Sequence, residues 1–205
     1  PHQLDGEGGG GGELGDYRHK SAVEIRRFGD SFIMLHRAIT RLAKPVIAAV
    51  QGDALGGGLS LVEACDLAVA SEEASFGVPE IKAGLAPMMA LTGARRIRSR
   101  KGCLEMALLG ESVSAARAQE IGLVNWVCPR SKVLDMAFTI AGRLAVSNPT
   151  AMALCKKLYA QGDALPYEHQ LEAGLDTLVA LLKSEDAAEA LTAGAEGRAP
   201  VWKAR

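Results

Sequence analysis

Phe28, Phe32, Leu35, Ile39 and Leu42 recur at steps of four, three, four and three residues. That is the period that keeps apolar side chains on one side of an α-helix. The pattern stops ahead of Lys44-Pro45, because the residue before a proline is pushed out of the helical region. Val46-Ile47-Ala48-Ala49-Val50 follows, a short apolar run between turn residues, which predicts a strand buried on both faces. Gln51 to Gly58 is a glycine-rich turn ending in Gly56-Gly57-Gly58. Leu59 to Cys65 then predicts a helix, and Leu67-Ala68-Val69-Ala70 a second buried strand. Strand, glycine turn, helix, strand is a βαβ unit, so the sheet is expected to be parallel.

Beyond Pro87 the helical period dominates. Arg100 to Leu109 is one helix. Ser114 is the N-cap of the next, and Gly122 is its stop. Val124 to Val127 predicts a last short strand. Asn148-Pro149 is a capping residue followed by a proline at the first helical position. Leu171, Leu175, Leu178 and Leu182 form another helical stripe, which predicts core or a subunit contact rather than a ligand box. The stretch before Gly15, with its run Gly8–Gly12, has almost nothing to bury and reads as loop or linker.

Composition narrows the class. A chain of 205 residues that is 48% apolar and 23% charged can bury a core without metal or disulfide staples. Its net charge of −1 and aromatic content of 4% argue against a nucleic-acid surface. No apolar run approaches the length of a membrane span. The N-terminus lacks the basic and apolar regions of a signal peptide. Cys65, Cys103, Cys128 and Cys155 are widely spaced, which reads as reduced thiols of a cytoplasmic protein, each a small core hydrophobe. His2, His19, His36 and His169 show no metal spacing and read as surface residues. No metal site is expected.

Two motifs carry chemistry. Gly56-Gly57-Gly58, between a strand and a helix, exposes N–H groups at a helix N-terminus and favours negative charge; tight helix–strand packing is the alternative. It lacks the Lys-Ser/Thr ending of a P-loop and the spacing of a dinucleotide fingerprint. Glu80 follows the rigid Val78-Pro79 step amid apolar neighbours. A carboxyl group there either exchanges protons near neutrality or is a solvated loop acid.

Lys44-Pro45-Val46-Ile47-Ala48-Ala49-Val50-Gln51-Gly52-Asp53-Ala54-Leu55-Gly56-Gly57-Gly58 resembles the signature of the enoyl-CoA hydratase/isomerase, or crotonase, family. The resemblance continues through Ala64-Cys65-Asp66, Ala74 to Glu80, Gly84-Leu85-Ala86-Pro87, Leu108 to Glu111, Ala118 to Val124 and Pro200 to Lys203. It implies an α/β fold, a crotonase-like spiral of ββα units, with the core over residues 1–130 and a C-terminal helical trimerisation region over 131–205. Family members carry further strands ahead of Gly12, which are missing or unrecognisable here. The implied partner is an acyl-CoA substrate bound by a homotrimer or a dimer of trimers, with no nucleic acid, no membrane and no cofactor beyond the coenzyme A of the substrate.

The family's site maps onto particular residues. Two N–H groups hold the thioester oxygen and stabilise an enolate; by resemblance these belong to Gly57 and to Gly12, the latter in Gly11-Gly12-Glu13-Leu14. Leu14, Leu85, Pro87 and Met88 fall where the family lines its acyl pocket, although Met88 and Met89 also suit core filling. A hydratase carries two glutamates around one water. Glu80 matches one, and Ser60 stands where the other belongs. Serine has no useful basicity without an adjacent base, and the sequence shows no G-x-S-x-G elbow and no histidine paired with Ser60. Glu63, three residues on, reads as a structural or rim charge. Arg95, Arg96, Arg98, Arg100 and Lys101 read as a solvated face or a landing site for coenzyme A phosphates. A single carboxylate suits double-bond isomerisation; hydration is the runner-up, and a non-catalytic acyl-CoA-binding protein the other class.

Overall fold

The computed structural model describes residues 19–97, 99–162 and 164–203. The chain divides into two compact units, one of residues 1–40 and 46–140, the other of residues 41–45 and 141–205. The first opens with helix α1 (Ala22–Arg41). Ser21 and Glu24 form a reciprocal cap there: Glu24 Oε2 accepts from the Ser21 N–H at 2.8 Å, and Ser21 Oγ from the Glu24 N–H at 3.3 Å. The helix ends short of Pro45, as the sequence predicts.

Strand β1 (Ile47–Val50) and strand β3 (Leu67–Ser71) pair in parallel, Ile47 opposite Leu67 and Val50 opposite Ala70. Strand β2 (Ala54–Leu55) and helix α2 (Gly57–Ala64) lie between them in sequence. The βαβ expectation therefore holds. Asp66 ties the two strands at their start, its Oδ2 accepting from the Val46 N–H at 2.7 Å. Strand β6 (Trp126–Cys128) completes a parallel sheet of order β1-β3-β6. Central β3 has four buried residues, whereas β1 is only half-buried. Its sequence predicts burial on both faces, but among the described residues it is an outer strand.

A second small sheet has the order β2-β4-β5. Strand β4 (Ser75–Gly77) runs parallel to β2, and strand β5 (Val113–Ser114) antiparallel to β4. These strands of two or three residues are too short to leave a periodic signal in the sequence. Asp53 Oδ1 takes the Ser75 N–H at 3.0 Å and the Ser75 hydroxyl at 2.7 Å, which aligns the starts of β2 and β4. Gly77 is pressed against β5's approach: a Cβ on it would lie 2.6 Å from Ser112 Oγ and 3.0 Å from Ser112 Cα.

Helices α3 (Met88–Ile97), α4 (Arg100–Leu109) and α5 (Ala115–Glu120) add residues to the core around these sheets, and α6 (Val133–Ala145) follows. The core joins Leu59, Phe76, Val78, Met106, Ala115 and Leu123, with Phe76 and Leu59 fully buried. Ser114 caps α5 by accepting from the Arg117 N–H. The last strand starts two residues later than its apolar run because Asn125 is used as a clasp. Its Oδ1 accepts from the Ala68 N–H at 2.8 Å, and its N–H donates to the Ala68 carbonyl at 3.0 Å.

The second unit holds α7 (Pro149–Gly162), α8 (Tyr167–Leu182) and α9 (Glu185–Glu196). Asn148 Oδ1 caps α7 through the Ala151 N–H at 3.0 Å. The tail is tied back: Asp186, fully buried, accepts from the Lys203 N–H at 2.7 Å, and the Trp202 indole donates to the Val146 carbonyl at 2.9 Å. The leucine stripe of α8 is not core within this chain. Leu171, Leu175, Leu178 and Leu182 are 52%, 60%, 50% and 64% exposed. Cys103 and Cys128 are buried, but Cys155 is exposed, so it is no core hydrophobe. No described helix is long and apolar enough to cross a membrane.

Two tests follow from this packing. Phe76→Ala removes a fully buried ring and is expected to cost about 3–5 kcal/mol in chemical denaturation. Arg198 and the Val201 N–H hold the Glu189 carboxyl at about 2, below the ordinary 4.5. A depressed carboxyl contributes stability that is complete above the unfolded value and lost as pH falls towards the folded one. Wild-type protein is therefore expected to lose more stability than Glu189→Gln between those two pH values, measured by thermal melting.

Candidate active site

The parallel pairing of β2 and β4 sends two chain segments out of the same end of the small sheet. Leu55 lies opposite Gly77. After Leu55 the chain turns through Gly56 into α2; after Gly77 it turns through Val78 into the 3₁₀ turn Pro79–Ala83. The carboxyl ends of parallel strands are where such folds place ligands. Gly56 is the corner. Its φ of 52° and ψ of −115° suit only glycine, and its N–H donates to the Gly77 carbonyl at 2.8 Å. Gly57 is thereby set as the first residue of α2. Its N–H precedes the first possible helical acceptor and adds to the positive end of the helix dipole.

Glu80 leaves the same end three residues after β4. Pro79 starts its turn, and Gly84, at φ 73°, closes it, with the Leu85 N–H donating to the Glu80 carbonyl at 3.0 Å. Among the described residues nothing hydrogen-bonds Glu80 Oε2, although that atom is buried. A buried carboxylate oxygen left without a partner is costly, and such groups collect at sites that act on a ligand. Beyond the turn, Pro87 is buried, while Leu85 and Met88 are 42% and 63% exposed. Gly12 and Leu14 lie outside the described residues.

Ser60 is 2% exposed, one turn into α2, on the same face as Gly57. Here the structure corrects the sequence. Ser60 does have a histidine partner: His36 Nε2 lies 2.8 Å from Ser60 Oγ and 3.1 Å from the Ser60 carbonyl oxygen. The other ring nitrogen, Nδ1, is 2.9 Å from the Phe32 carbonyl oxygen, and the Phe32 ring lies 4.4 Å from the imidazole, centroid to centroid. The expectation of four surface histidines fails for this one, which is half-buried. His19 and His169 are exposed, and His2 is outside the described residues. Ser60 and His36 are 24 residues apart, so no spacing reveals the pair. One signal was available: His36 falls four residues after Phe32, on the apolar face of α1.

Glu63 lies against α3. A Cβ on Gly93 of α3 would meet its Oε2 at 2.5 Å and its Cβ at 3.0 Å. Arg100 and Lys101 are exposed at the start of α4; the side chains of Arg95, Arg96 and Arg98 are outside the described ones. Among the described residues no group of three or more His, Cys, Asp or Glu could hold a metal ion.

The family model for enoyl-CoA hydratase/isomerase matches residues 9–205. The chain belongs to that family. Among curated relatives, the carnitinyl-CoA dehydratase of Salmonella typhi is 39% identical over 169 residues, 80% of this chain and 65% of that protein. The chain thus spans about two thirds of the length of the curated relatives it matches. Two solved structures show the crotonase fold directly. The enoyl-CoA hydratase of Bacillus anthracis superposes with a TM-score of 0.87 at 29% identity, covering 94% of this chain and 75% of that one. The enoyl-CoA hydratase of Mycobacterium smegmatis gives 0.85 at 31%, covering 90% and 72%. These likenesses bear out the α/β crotonase fold read from the sequence, in a chain that is mostly helical with two small sheets.

In this crotonase-family chain the glycine corner carries both a conformational and a positioning demand. Gly56→Ala is expected to cost about 1–3 kcal/mol, from a φ that side chains resist. Gly58→Ala, at an ordinary helical position, is the control, and denaturant unfolding of both reads the difference.

Proposed function

We propose that the protein is an enzyme of acyl-CoA thioesters. The Gly57 N–H, with the Gly12 N–H as its partner, donates to the thioester oxygen, and Glu80 moves the proton on the carbon next to the carbonyl. The observation that carries this reading is the β2–β4 pair, which sends the α2 N-terminus and Glu80 out of one end of one sheet. Charge that develops on the thioester oxygen during enolisation would meet a preorganised donor and the helix dipole. One such donor is worth about 2.7–4 kcal/mol in the transition state. Glu80, whose buried Oε2 has no hydrogen-bond partner among the described residues, is the base that forms the enolate and the acid that returns the proton.

Glu80 alone completes a double-bond isomerisation, taking a proton from one carbon and returning it to another. The second reading, hydration or the reverse dehydration, is favoured by the Ser60–His36 contact, and the curated relatives are named for a dehydratase. The exposed acyl-side residues Leu85 and Met88 are assigned to the acyl chain, and the exposed leucines of α8 to contact between copies in a trimer.

The test is a side-by-side assay of 2-enoyl-CoA and 3-enoyl-CoA with wild type and Glu80→Gln. Wild type is expected to turn over at least one. The variant is expected to lose about 10²–10⁴-fold in kcat and to keep its affinity for the thioester. Turnover that survives in Glu80→Gln overturns the role given to Glu80. Thioester binding without turnover in wild type moves the protein to the acyl-CoA-binding class.

A further inference from the structure

We propose that Ser60 and His36 form a proton relay that serves the oxygen at the β-carbon of the substrate. Ser60 touches that oxygen, and His36 acts through it as a positioning residue and proton reservoir. The inference rests on the placement of the thioester at Gly57 and Glu80, and it decides between the two reactions left open there.

The geometry sets the direction of the protons. A backbone carbonyl only accepts, so the contact of Nδ1 with the Phe32 carbonyl keeps a hydrogen on Nδ1. Nε2 also lies 3.1 Å from a carbonyl, that of Ser60, but it alone has a partner that can donate to it, Ser60 Oγ at 2.8 Å, so Nε2 is the nitrogen that can give up its hydrogen. In the neutral ring, Nε2 accepts the Ser60 hydroxyl hydrogen. In the imidazolium, Nε2–H donates to Ser60, whose carbonyl oxygen at 3.1 Å is a second acceptor. The hydroxyl serves both protonation states by turning its own hydrogen towards or away from the ring, whereas the Ser60 carbonyl is a partner of the imidazolium alone. Phe32 packs against the imidazole and holds its plane.

Ser60 lies three residues beyond Gly57, an axial rise of about 4.5 Å. The Cα–Cβ bond of a helical residue tilts towards the N-terminus, which for Ser60 is the end that carries the Gly57 N–H. A thioester oxygen at Gly57 and a substituent on the β-carbon are separated by a distance of that order. At this buried position a carboxylate would need charge compensation, whereas a hydroxyl backed by a neutral imidazole needs none.

Dehydration starts from the imidazolium form of His36. Glu80 takes the α-proton and the enolate charge goes to the thioester oxygen. The bond from the β-carbon to its hydroxyl breaks as Ser60 donates its hydrogen to the departing oxygen, and water leaves. His36 Nε2–H restores the Ser60 hydroxyl and becomes neutral. Hydration is the reverse, with water losing a proton through Ser60 to Nε2 while Glu80 protonates the α-carbon.

The relay serves only the β-oxygen, so two rates separate it from a structural role. The first is exchange of the α-protons of a saturated acyl-CoA in deuterium oxide, read by mass spectrometry, which needs Glu80 alone. The second is hydration of 2-enoyl-CoA. His36→Gln and Ser60→Ala are each expected to lower hydration by about 10²–10⁴-fold and exchange by less than about threefold. The double variant is expected to be no slower than either single one, because the two residues act as a unit. Ser60→Ala removes one hydroxyl only and guards against a folding defect in the histidine variant. Wild type that hydrates nothing, or variants that slow both rates equally or neither, would overturn the relay. Exchange that persists in Glu80→Gln would instead overturn the underlying placement of Glu80.

Discussion

The hydrogen bond from the Gly56 N–H to the Gly77 carbonyl, at 2.8 Å, is the contact on which the site depends. It extends the short β2–β4 ladder by one rung into a corner that only glycine can turn. Because of it, the first turn of α2 and the turn carrying Glu80 start from one fixed place. Strands of two and three residues contribute little pairing of their own. Their alignment comes from Asp53 at one end, the Gly56–Gly77 rung at the other, and the buried ring of Phe76 between. Gly77 has no room for a side chain against Ser112, so the second sheet closes on β5 with the same residue that accepts from Gly56.

The environment of Ser60 shows how one substitution changes the demands on a buried site. At 2% exposure, an ionised side chain would need several donors around it, since desolvation of a charge is far costlier than that of a hydroxyl. Ser60 needs a single hydrogen-bond partner, and His36 Nε2 supplies one from another helix at 2.8 Å. Among the described residues none of α1 is fully buried, so the imidazole contact is a specific fastening of that helix to α2. The same contact joins the polar chemistry of the site to the placement of α1: moving the helix moves Nε2 away from the hydroxyl.

The second unit is built by other means. Its helices are capped by Asn148 and Ser184, and its tail is held by a buried carboxylate rather than by apolar packing. Asp186 accepts from the backbone of Lys203, and Glu189 gathers Arg198 and the Val201 N–H. These are charge-assisted bonds, stronger than neutral ones. They let a segment poor in large buried side chains keep a defined path while the leucines of α8 stay exposed within the chain.

Much of this was legible along the chain. The 3.6-residue stripe of α1, the apolar runs of β1 and β3, the parallel βαβ inference, and the caps at Ser114 and Asn148 all follow from local periodicity and backbone chemistry. The family, and with it Gly57, Glu80 and the anomaly at Ser60, could be read from motifs. Three things could not. The strands β2, β4 and β5 are shorter than any period. The half-buried state of β1 depends on which strand lies beyond it, not on its own residues. The pairing of His36 with Ser60 joins residues 24 positions apart on two helices. Local order in the sequence determined the longer elements and the candidate positions Gly57 and Glu80. Only the tertiary structure decided what stands beside Ser60, because a hydrogen bond between helices is set by how they pack.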